Sequence, residues 1–306
     1  MNEFTAILVS MVLSATPLLL AATGELVTEK SGVLNLGVEG MMIVGAVIGF
    51  AVTATSDDHA LGLTCAALAG AAMAALFGFL TLFLLANQVA TGLALTIFGI
   101  GLSALIGKSY VGTPLVRLKQ LDIPGVSDLP LIGPLLFSQD VLVYLSVIIA
   151  IVVMLFLNRT RPGLILRSIG ENPDAAHALG YPVRRIRFFA VLFGGAMSGL
   201  GGAYLSVAYT PLWSEGMTAG RGWISLALVV FSTWKPLRLI LGAYLFGFFS
   251  IAQLHAQGFG VRVPPEFLSM LPYLATILVL VLISRDAKRI RLNAPASLGK
   301  AFRSAA

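Results

Sequence analysis

Charged residues are scarce in this sequence. Of its 306 residues only 11% are Asp, Glu, Lys or Arg, whereas 58% are hydrophobic, and the mean hydropathy is +0.93. A soluble domain of this length needs far more polar surface, so the composition excludes one. The single cysteine, Cys65, rules out an intramolecular disulfide. The three histidines stand far apart, without the spacing of metal ligands, so we expect no metal site.

Long apolar runs dominate the chain instead. Crossing a hydrocarbon core of roughly 30 Å takes about 20 helical residues, and lipid leaves no backbone group unpaired. The run at 222–234 is short enough to be tilted or broken, and the run at 60–86 exceeds one simple crossing. We predict an all-α polytopic membrane protein of about nine spans, with eight to ten open. The runs are residues 4–24, 32–55, 60–86, 89–107, 141–157, 188–209, 222–234, 239–254 and 267–284.

Basic residues concentrate in three regions. Six of the 20 lie between Asn158 and Arg187, six follow Ser284, and Lys235 and Arg238 bracket one tight turn. The positive-inside rule places all three regions in the cytoplasm, where anionic lipid attracts them, so the charge does not require a nucleic-acid partner. Residues 1–306 therefore read as one transmembrane domain, with a cytoplasmic loop at 159–187 and a basic cytoplasmic tail at 285–306.

The stretch "NPDAAHALG" within that loop predicts a short helix. Asn172 can cap it, Pro173 suits its first position, Asp174 favours its positive end, and Gly180 can terminate it. A stiff, self-capped helix on the cytoplasmic face is suited to docking into a groove of another protein and to transmitting rigid-body motion. The alternative is an ordinary solvated loop whose arginines contact lipid headgroups.

Two segments resemble a known family. "GENPDAAHALGYPVRRIRFFAVLFGGAMSGLGGAYLS", from Gly170, resembles the coupling-helix region of ABC importer permeases for simple sugars, nucleosides and branched-chain amino acids. "EKSGVLNLGVEGMMIVGAVIGF", at 29–50, is similar to the signature of the nucleoside (BMP-type) branch. The resemblance implies a permease of the bacterial cytoplasmic (inner) membrane that forms half of a solute pathway and moves nucleosides by alternating access.

The same resemblance implies a division of labour among several chains. A cytoplasmic ATPase, which holds ATP and Mg, drives transport, so this chain is not expected to be an enzyme, to have catalytic residues or to bind a cofactor. An external binding protein delivers the solute, and a second permease, typically a different chain in the nucleoside branch, completes the pathway. The resemblance assigns the ATPase contact to Gly170, Glu171, Asn172, Pro173, Asp174, Ala175, Ala178 and Gly180. Of these, Ala175 and Ala178, together with Ala176, would allow close approach.

Polar residues within apolar runs are candidates for the solute path. Glu39 is the only carboxylate well inside such a run, and Asn35, four residues earlier, shares its helix face. Glu39 can contact solute or, alternatively, hydrogen-bond the broken backbone of a neighbouring helix. Asn87, Gln88 and Thr91 form a polar break that either lines a cavity or makes a plain cytoplasmic turn.

Other solutes and other classes of membrane protein are alternatives to a nucleoside importer. A simple sugar, a branched-chain amino acid or riboflavin are alternative solutes, because permeases for these are similar in sequence. An ion-coupled secondary transporter ordinarily carries ionisable residues in several spans, and here only Glu39 qualifies. A membrane enzyme needs a cluster of His, Asp or Cys near one interface, and the sequence offers none.

Overall fold

The computed structural model describes residues 3–121, 133–258, 293–303 and six single positions between 267 and 281. Helices dominate these ranges because the backbone of an apolar chain in lipid must pair with itself. The helices are α1 (Glu3–Lys30), α2 (Val38–Ser56), α3 (His59–Gly78), α4 (Gln88–Gly107), α5 (Val141–Arg159), α6 (Arg161–Glu171), α7 (Pro173–Ala178), α8 (Val183–Ala203), α9 (Arg221–Phe231) and α10 (Pro236–Gly258).

Seven helical stretches of the described ranges are long and apolar enough to cross a membrane. They are Phe4–Lys30, Val38–Ser56, His59–Phe83, Gln88–Tyr110, Val141–Arg159, Val183–Tyr209 and Pro236–Gln253. The predicted all-α polytopic architecture is confirmed. The long run at 60–86 forms a single span, and the short run at 222–234 forms the short helix α9. The run at 267–284 lies mostly outside the described residues.

Side-chain caps fix where several spans begin. Asp58 accepts hydrogen bonds from Ala60 N at 2.8 Å and Leu61 N at 3.2 Å at the start of α3. At the start of α5, Asp140 Oδ1 accepts from the backbone of the second and third residues of the helix. These aspartates satisfy amide groups that a helix leaves unpaired at its N-terminus. The two aspartates therefore fix the first residues of α3 and α5.

Helix α8 lies at the centre of the bundle, packed against α1, α2 and α3. Glycines at these crossings remove the side chains that would hold the helices apart, as in many membrane bundles. The backbone of Gly45 in α2 lies against that of Gly199 in α8, and the backbone of Gly70 in α3 lies against that of Gly195 in α8. The glycines therefore allow α8 to pack closely against α2 and α3.

Replacing Gly45 with alanine should destabilise this centre. A Cβ at position 45 would collide with the backbone of Gly199, which has no flexible side chain to move away. We expect Gly45→Ala to lower the free energy of unfolding by about 1–3 kcal/mol, measured as the thermal midpoint of the purified protein in lipid nanodiscs. Gly101→Ala on α4 is the matched control, because its Cβ meets nothing within 4 Å. Equal midpoints for the two variants would contradict the packing argument.

Candidate functional site

The loop at 159–187 folds into two helices at one end of the bundle. Thr160 Oγ1 caps α6 by accepting from Gly163 N at 3.1 Å. Asn172 Oδ1 caps α7 by accepting from Ala175 N at 2.9 Å, and Pro173 occupies the first position of α7. Gly180 adopts φ +88°, a conformation that favours glycine, just after α7 ends. The predicted self-capped short helix is confirmed, and the end of the bundle that carries it is called the α6–α7 end below.

Most of the residues predicted to contact an ATPase lie on the open surface of the α6–α7 end. Gly170 is buried and Pro173 half-buried, whereas the remaining members of the set are exposed: Glu171, Asn172, Asp174, Ala175, Ala178 and Gly180. Ala176 turns inward and packs with Ile169 and Val183. Leu179, absent from the predicted set, has 77% of its surface exposed. An apolar side chain standing this far out beside α7 adds a contact that a partner could cover.

Residues 293–303, here called the tail, return to the α6–α7 end. Ser297 donates to the Gly170 carbonyl oxygen twice, from its backbone N at 2.9 Å and from its Oγ at 2.7 Å. Gly299 N donates to Gly32 O at 3.2 Å. Phe302 is buried among the side chains beneath α7, with its ring edge-on to His177. The tail is therefore part of the support on which α7 rests.

Arg187 holds the tail to the rest of the bundle. Its side chain is fully buried at the start of α8. Nε donates to Ser31 O at 3.0 Å, Nη1 to Lys300 O at 3.2 Å, and Nη2 to Ser297 Oγ at 2.8 Å. The planar guanidinium thus joins three chain segments that are distant in sequence. From the sequence, Arg187 is predicted only as one of the basic residues of the cytoplasmic loop.

A groove of about 460 Å³ separates α7 from the tail. Glu171 and Asp174 lie on the α7 side, and Lys300 and Arg303 on the tail side. Its remaining lining is formed by Asn172, Pro173, Ala296, Ser297, Ala301 and Phe302. The α6–α7 end therefore offers a concave surface with charges of both signs, rather than a flat basic patch.

Glu39 lies in the first turn of α2 and is 5% exposed. Its Oε1 accepts from Thr218 Oγ1 at 2.6 Å and from Gly220 N at 2.9 Å, and its Oε2 accepts from Gly222 N at 2.6 Å. These donors surround the N-terminus of the short helix α9, where a carboxylate is favourable. This is the contact with a broken helix foreseen as the second interpretation of Glu39. Contact of Glu39 with solute stays a prediction.

The N-terminus of α9 lies deep in the bundle. Ser225 Oγ, one turn into α9, donates to Leu18 O at 3.5 Å, and Leu18 is near the middle of the span Phe4–Lys30. At the other end, Trp234 Nε1 donates to Glu29 Oε2, close to the end of α1. Helix α9 therefore crosses only about half of the bilayer depth. The junction of residues 218–220 with α9 is called the mid-membrane break below.

The other predicted path residues gather elsewhere. Asn35 is fully buried in the connection between α1 and α2, where its Oδ1 accepts from Gly37 N at 2.9 Å. Gln88 Oε1 accepts from Leu34 N, in the same connection, at 2.8 Å. Asn87 is exposed and caps α4, and Thr91 is half-buried in its first turn. Because α2 begins at Val38, Asn35 precedes the helix, and the prediction that it shares a helix face with Glu39 is wrong. The structure brings Asn35 and Gln88 together, while Glu39 belongs to the mid-membrane break.

Two buried carboxylates are not among the predicted path residues. Glu25 and Glu29 lie on the last turns of α1 and are 0% and 1% exposed. Glu25 Oε1 accepts from Asn35 N at 3.3 Å. The apolar run ends at residue 24, so both residues were expected beyond the span, yet α1 continues to Lys30. Within the described residues no group of three His, Cys, Asp or Glu could hold a metal ion.

Comparison with known proteins gives one family. The model of the family described as "Branched-chain amino acid transport system / permease component" matches residues 7–280. A "Putative glucose ABC transporter permease protein" of Haloferax volcanii is 40% identical, with 99% of this chain and 98% of the relative covered. A "Nucleoside ABC transporter permease protein" of Lactococcus lactis is 33% identical (92% and 93%), and a "Guanosine ABC transporter permease protein" of Bacillus subtilis is 31% identical (87% and 88%).

Haloferax volcanii and Lactococcus lactis each contain a second, more distant relative, at 24% and 22% identity. No solved structure matches the chain.

Proposed function

The chain belongs to the family described as the permease component of the branched-chain amino acid transport system, and within that family we propose that its solute is a nucleoside. It is a permease subunit of an ABC importer, within the group that serves sugars and nucleosides. As such it is a multi-pass protein of the cell membrane and not itself an enzyme. The family implies a separate ATPase and a solute-binding protein.

The similarity of residues 29–50 to the nucleoside branch carries the choice of solute. Two of the relatives named above, those of Lactococcus lactis and Bacillus subtilis, are named for nucleoside and guanosine transport. Glucose is the second candidate, because the relative at 40% identity is named a putative glucose permease. The two solutes share hydroxyl groups but differ in the aromatic base, so an uptake assay separates them.

We assign the contact with the ATPase to α7 and its flanks, with residues 159–187 as the cytoplasmic coupling loop. The contact set is Gly170, Glu171, Asn172, Pro173, Asp174, Ala175, Ala178 and Gly180. The capped, exposed helix supports this assignment, and buried Gly170 serves by holding the tail in place. Leu179 extends the contact. ATP-driven closure of the ATPases would displace α7 as a rigid body and so open the path inward.

The solute path is assigned to the polar positions Asn35, Glu39, Asn87, Gln88 and Thr91 and to the mid-membrane break. Discontinuous helices near mid-membrane are a common arrangement for solute sites in transporters. Glu39 contributes by fixing the start of α9. A second permease, a different chain, would supply the other wall, and the presence of two relatives in each of two organisms supports such a pair.

Uptake into proteoliposomes tests this proposal. The vesicles contain this chain, the second permease and the ATPase, with the binding protein outside, and uptake of labelled uridine, adenosine and glucose is measured with and without ATP inside. We expect ATP-dependent uptake of a nucleoside and none of glucose. Uptake of glucose alone would move the assignment to sugars, and uptake driven by an ion gradient without ATP would overturn the importer mechanism.

Asp174→Arg tests the role of α7. Asp174 is exposed near the N-terminus of α7, so reversing its charge opposes the helix dipole and changes the surface offered to the ATPase. We expect uptake to fall roughly tenfold or more, with loss of ATPase co-purification. Glu215→Arg, the same change at another exposed carboxylate outside the α6–α7 end, should retain the ATPase. Retention of the ATPase by Asp174→Arg would contradict the assignment of α7.

A further inference from the structure

Arg221 carries a positive charge near the middle of the membrane. It is the first residue of α9 and lies one helical turn before Ser225. The hydroxyl of Ser225 donates to Leu18 O, near the middle of the first span. At 1.5 Å per residue that turn places Arg221 within about 6 Å of the depth of Leu18. Because Arg221 immediately precedes the predicted apolar run at 222–234, hydrophobicity alone gives no signal of this depth.

The guanidinium of Arg221 has no carboxylate partner among the described residues. Its Nη1 donates to Met217 O at 3.1 Å and to Thr218 O at 3.2 Å. Glu39, the carboxylate bound to the same segment, is occupied by Thr218 Oγ1, Gly220 N and Gly222 N. The α9 amides next to Arg221 are thereby already satisfied. Among the described residues only Nη1 of this guanidinium makes hydrogen bonds, so donors on Nε and Nη2 remain available.

The surroundings of Arg221 are open rather than packed. Arg221 itself is partly exposed, its neighbour Ala219 is exposed, and Trp223 has 47% of its surface exposed. A charged side chain at mid-membrane is costly against lipid and is found facing a bundle interior or a water-filled cavity. The charge of Arg221 therefore indicates that this open surface faces the solute pathway and not lipid.

We propose that Arg221 is a solute-binding residue, which donates hydrogen bonds to oxygen acceptors of the transported molecule at the mid-membrane break. The guanidinium offers five N–H donors in a fixed plane, and Nη1 is held in place by the two carbonyls behind it. The ligand class is an uncharged solute with carbonyl or hydroxyl oxygens. This inference rests on the proposed importer function and adds a contact residue to it; uridine and guanosine present both kinds of oxygen, and every nucleoside presents hydroxyl groups.

Kinetics of uptake give the first test. In the reconstituted importer, Arg221→Gln should raise the KM for uridine roughly tenfold or more, as expected for loss of a charge-assisted hydrogen bond, and Arg221→Lys should recover part of the loss. Arg238→Gln is the matched control, because Arg238 also bonds a polar oxygen, Thr233 Oγ1 at 2.8 Å, but at the start of α10. An unchanged KM in an active Arg221→Gln importer overturns the proposal, whereas absence of nucleoside uptake by the native chain contradicts the proposed function instead.

Thiol labelling gives a test that does not depend on transport. In a Cys65→Ala background, which removes the only cysteine, Arg221→Cys should react with a charged, membrane-impermeant thiol reagent, and uridine should slow the reaction. Ile97→Cys is the control, because Ile97 is an apolar residue of α4 with 73% of its surface exposed. Equal and slow labelling at both positions would place Arg221 away from water and overturn the proposal, even if Arg221→Gln were unstable.

Discussion

Replacing Arg187 with glutamine is expected to detach the tail from the α6–α7 end and to lower the free energy of unfolding by about 3 kcal/mol or more. The substitution removes a buried guanidinium that donates to Ser31 O, Lys300 O and Ser297 Oγ. Hydrogen bonds from a charged group contribute roughly 1.5–3 kcal/mol each, and the acceptors left behind are shielded from water. Arg187→Lys keeps the charge but cannot reach three acceptors in one plane, so only partial recovery is expected.

Hydrogen exchange measures the detachment directly. Backbone amides of Ser297 and Gly299 donate to Gly170 O and Gly32 O, so they should be protected in the native chain and exchange quickly in Arg187→Gln. The amount of ATPase that co-purifies with Arg187→Gln should also fall, because Ser297 bonds Gly170 just before α7. Arg185→Gln, at an exposed arginine two residues earlier on α8, is the matched control. Undiminished protection in Arg187→Gln would show that the tail is held by other contacts.

Glu39→Ala should produce the second large effect, a disordered start of α9 and loss of transport. The variant leaves Gly220 N, Gly222 N and Thr218 Oγ1 without their acceptor at a depth where little water is present to replace it. We expect the free energy of unfolding to fall by about 3 kcal/mol or more, or roughly 6 °C in the thermal midpoint. Thermal unfolding in nanodiscs and uridine uptake measure the two parts of the effect.

Glu39→Gln separates charge from shape. Glutamine matches the size of glutamate, but its NH2 group faces N–H donors and cannot accept from them. It should therefore retain at most part of the three hydrogen bonds and remain well below the native stability. Glu215→Gln, at an exposed glutamate, should leave the midpoint unchanged. A native midpoint in Glu39→Gln would contradict the cap, while a raised KM with native stability would favour direct contact with solute.

The membrane spans were predictable because each one is a continuous run of apolar residues in the sequence. Every predicted run up to residue 254 became a helix, and the capping pattern at Asn172 and Pro173 gave α7 with its boundaries. Both signals depend on residues within a few positions of each other. Where a span contains carboxylates, the same signal fails: Glu25 and Glu29 interrupt the apolar run, although both are buried in the folded chain against Asn35 and Trp234.

The polar contacts of the candidate site were not predictable because their partners are distant in sequence. Glu39 meets Gly222, and Arg187 meets Ser297 and Lys300, across more than a hundred residues in each case. One signal for Arg187 did exist: it stands three, four and seven residues before the buried Ala190, Val191 and Gly194, on the inward face of α8. A basic residue in phase with that face indicates a buried partner rather than lipid headgroups.

The position of the tail has a consequence for biosynthesis. Residues 293–303 follow all of the described helices in the chain, yet Ser297 and Lys300 close the contacts at Gly170 and Arg187. As the ribosome extends the chain from its N-terminus, the spans can enter the membrane and pack while the surface around α7 still lacks its support. On the proposed assignment of α7, a nascent permease cannot present the finished surface to an ATPase until residues 293–303 have emerged from the ribosome, so binding of the ATPase follows synthesis of the tail.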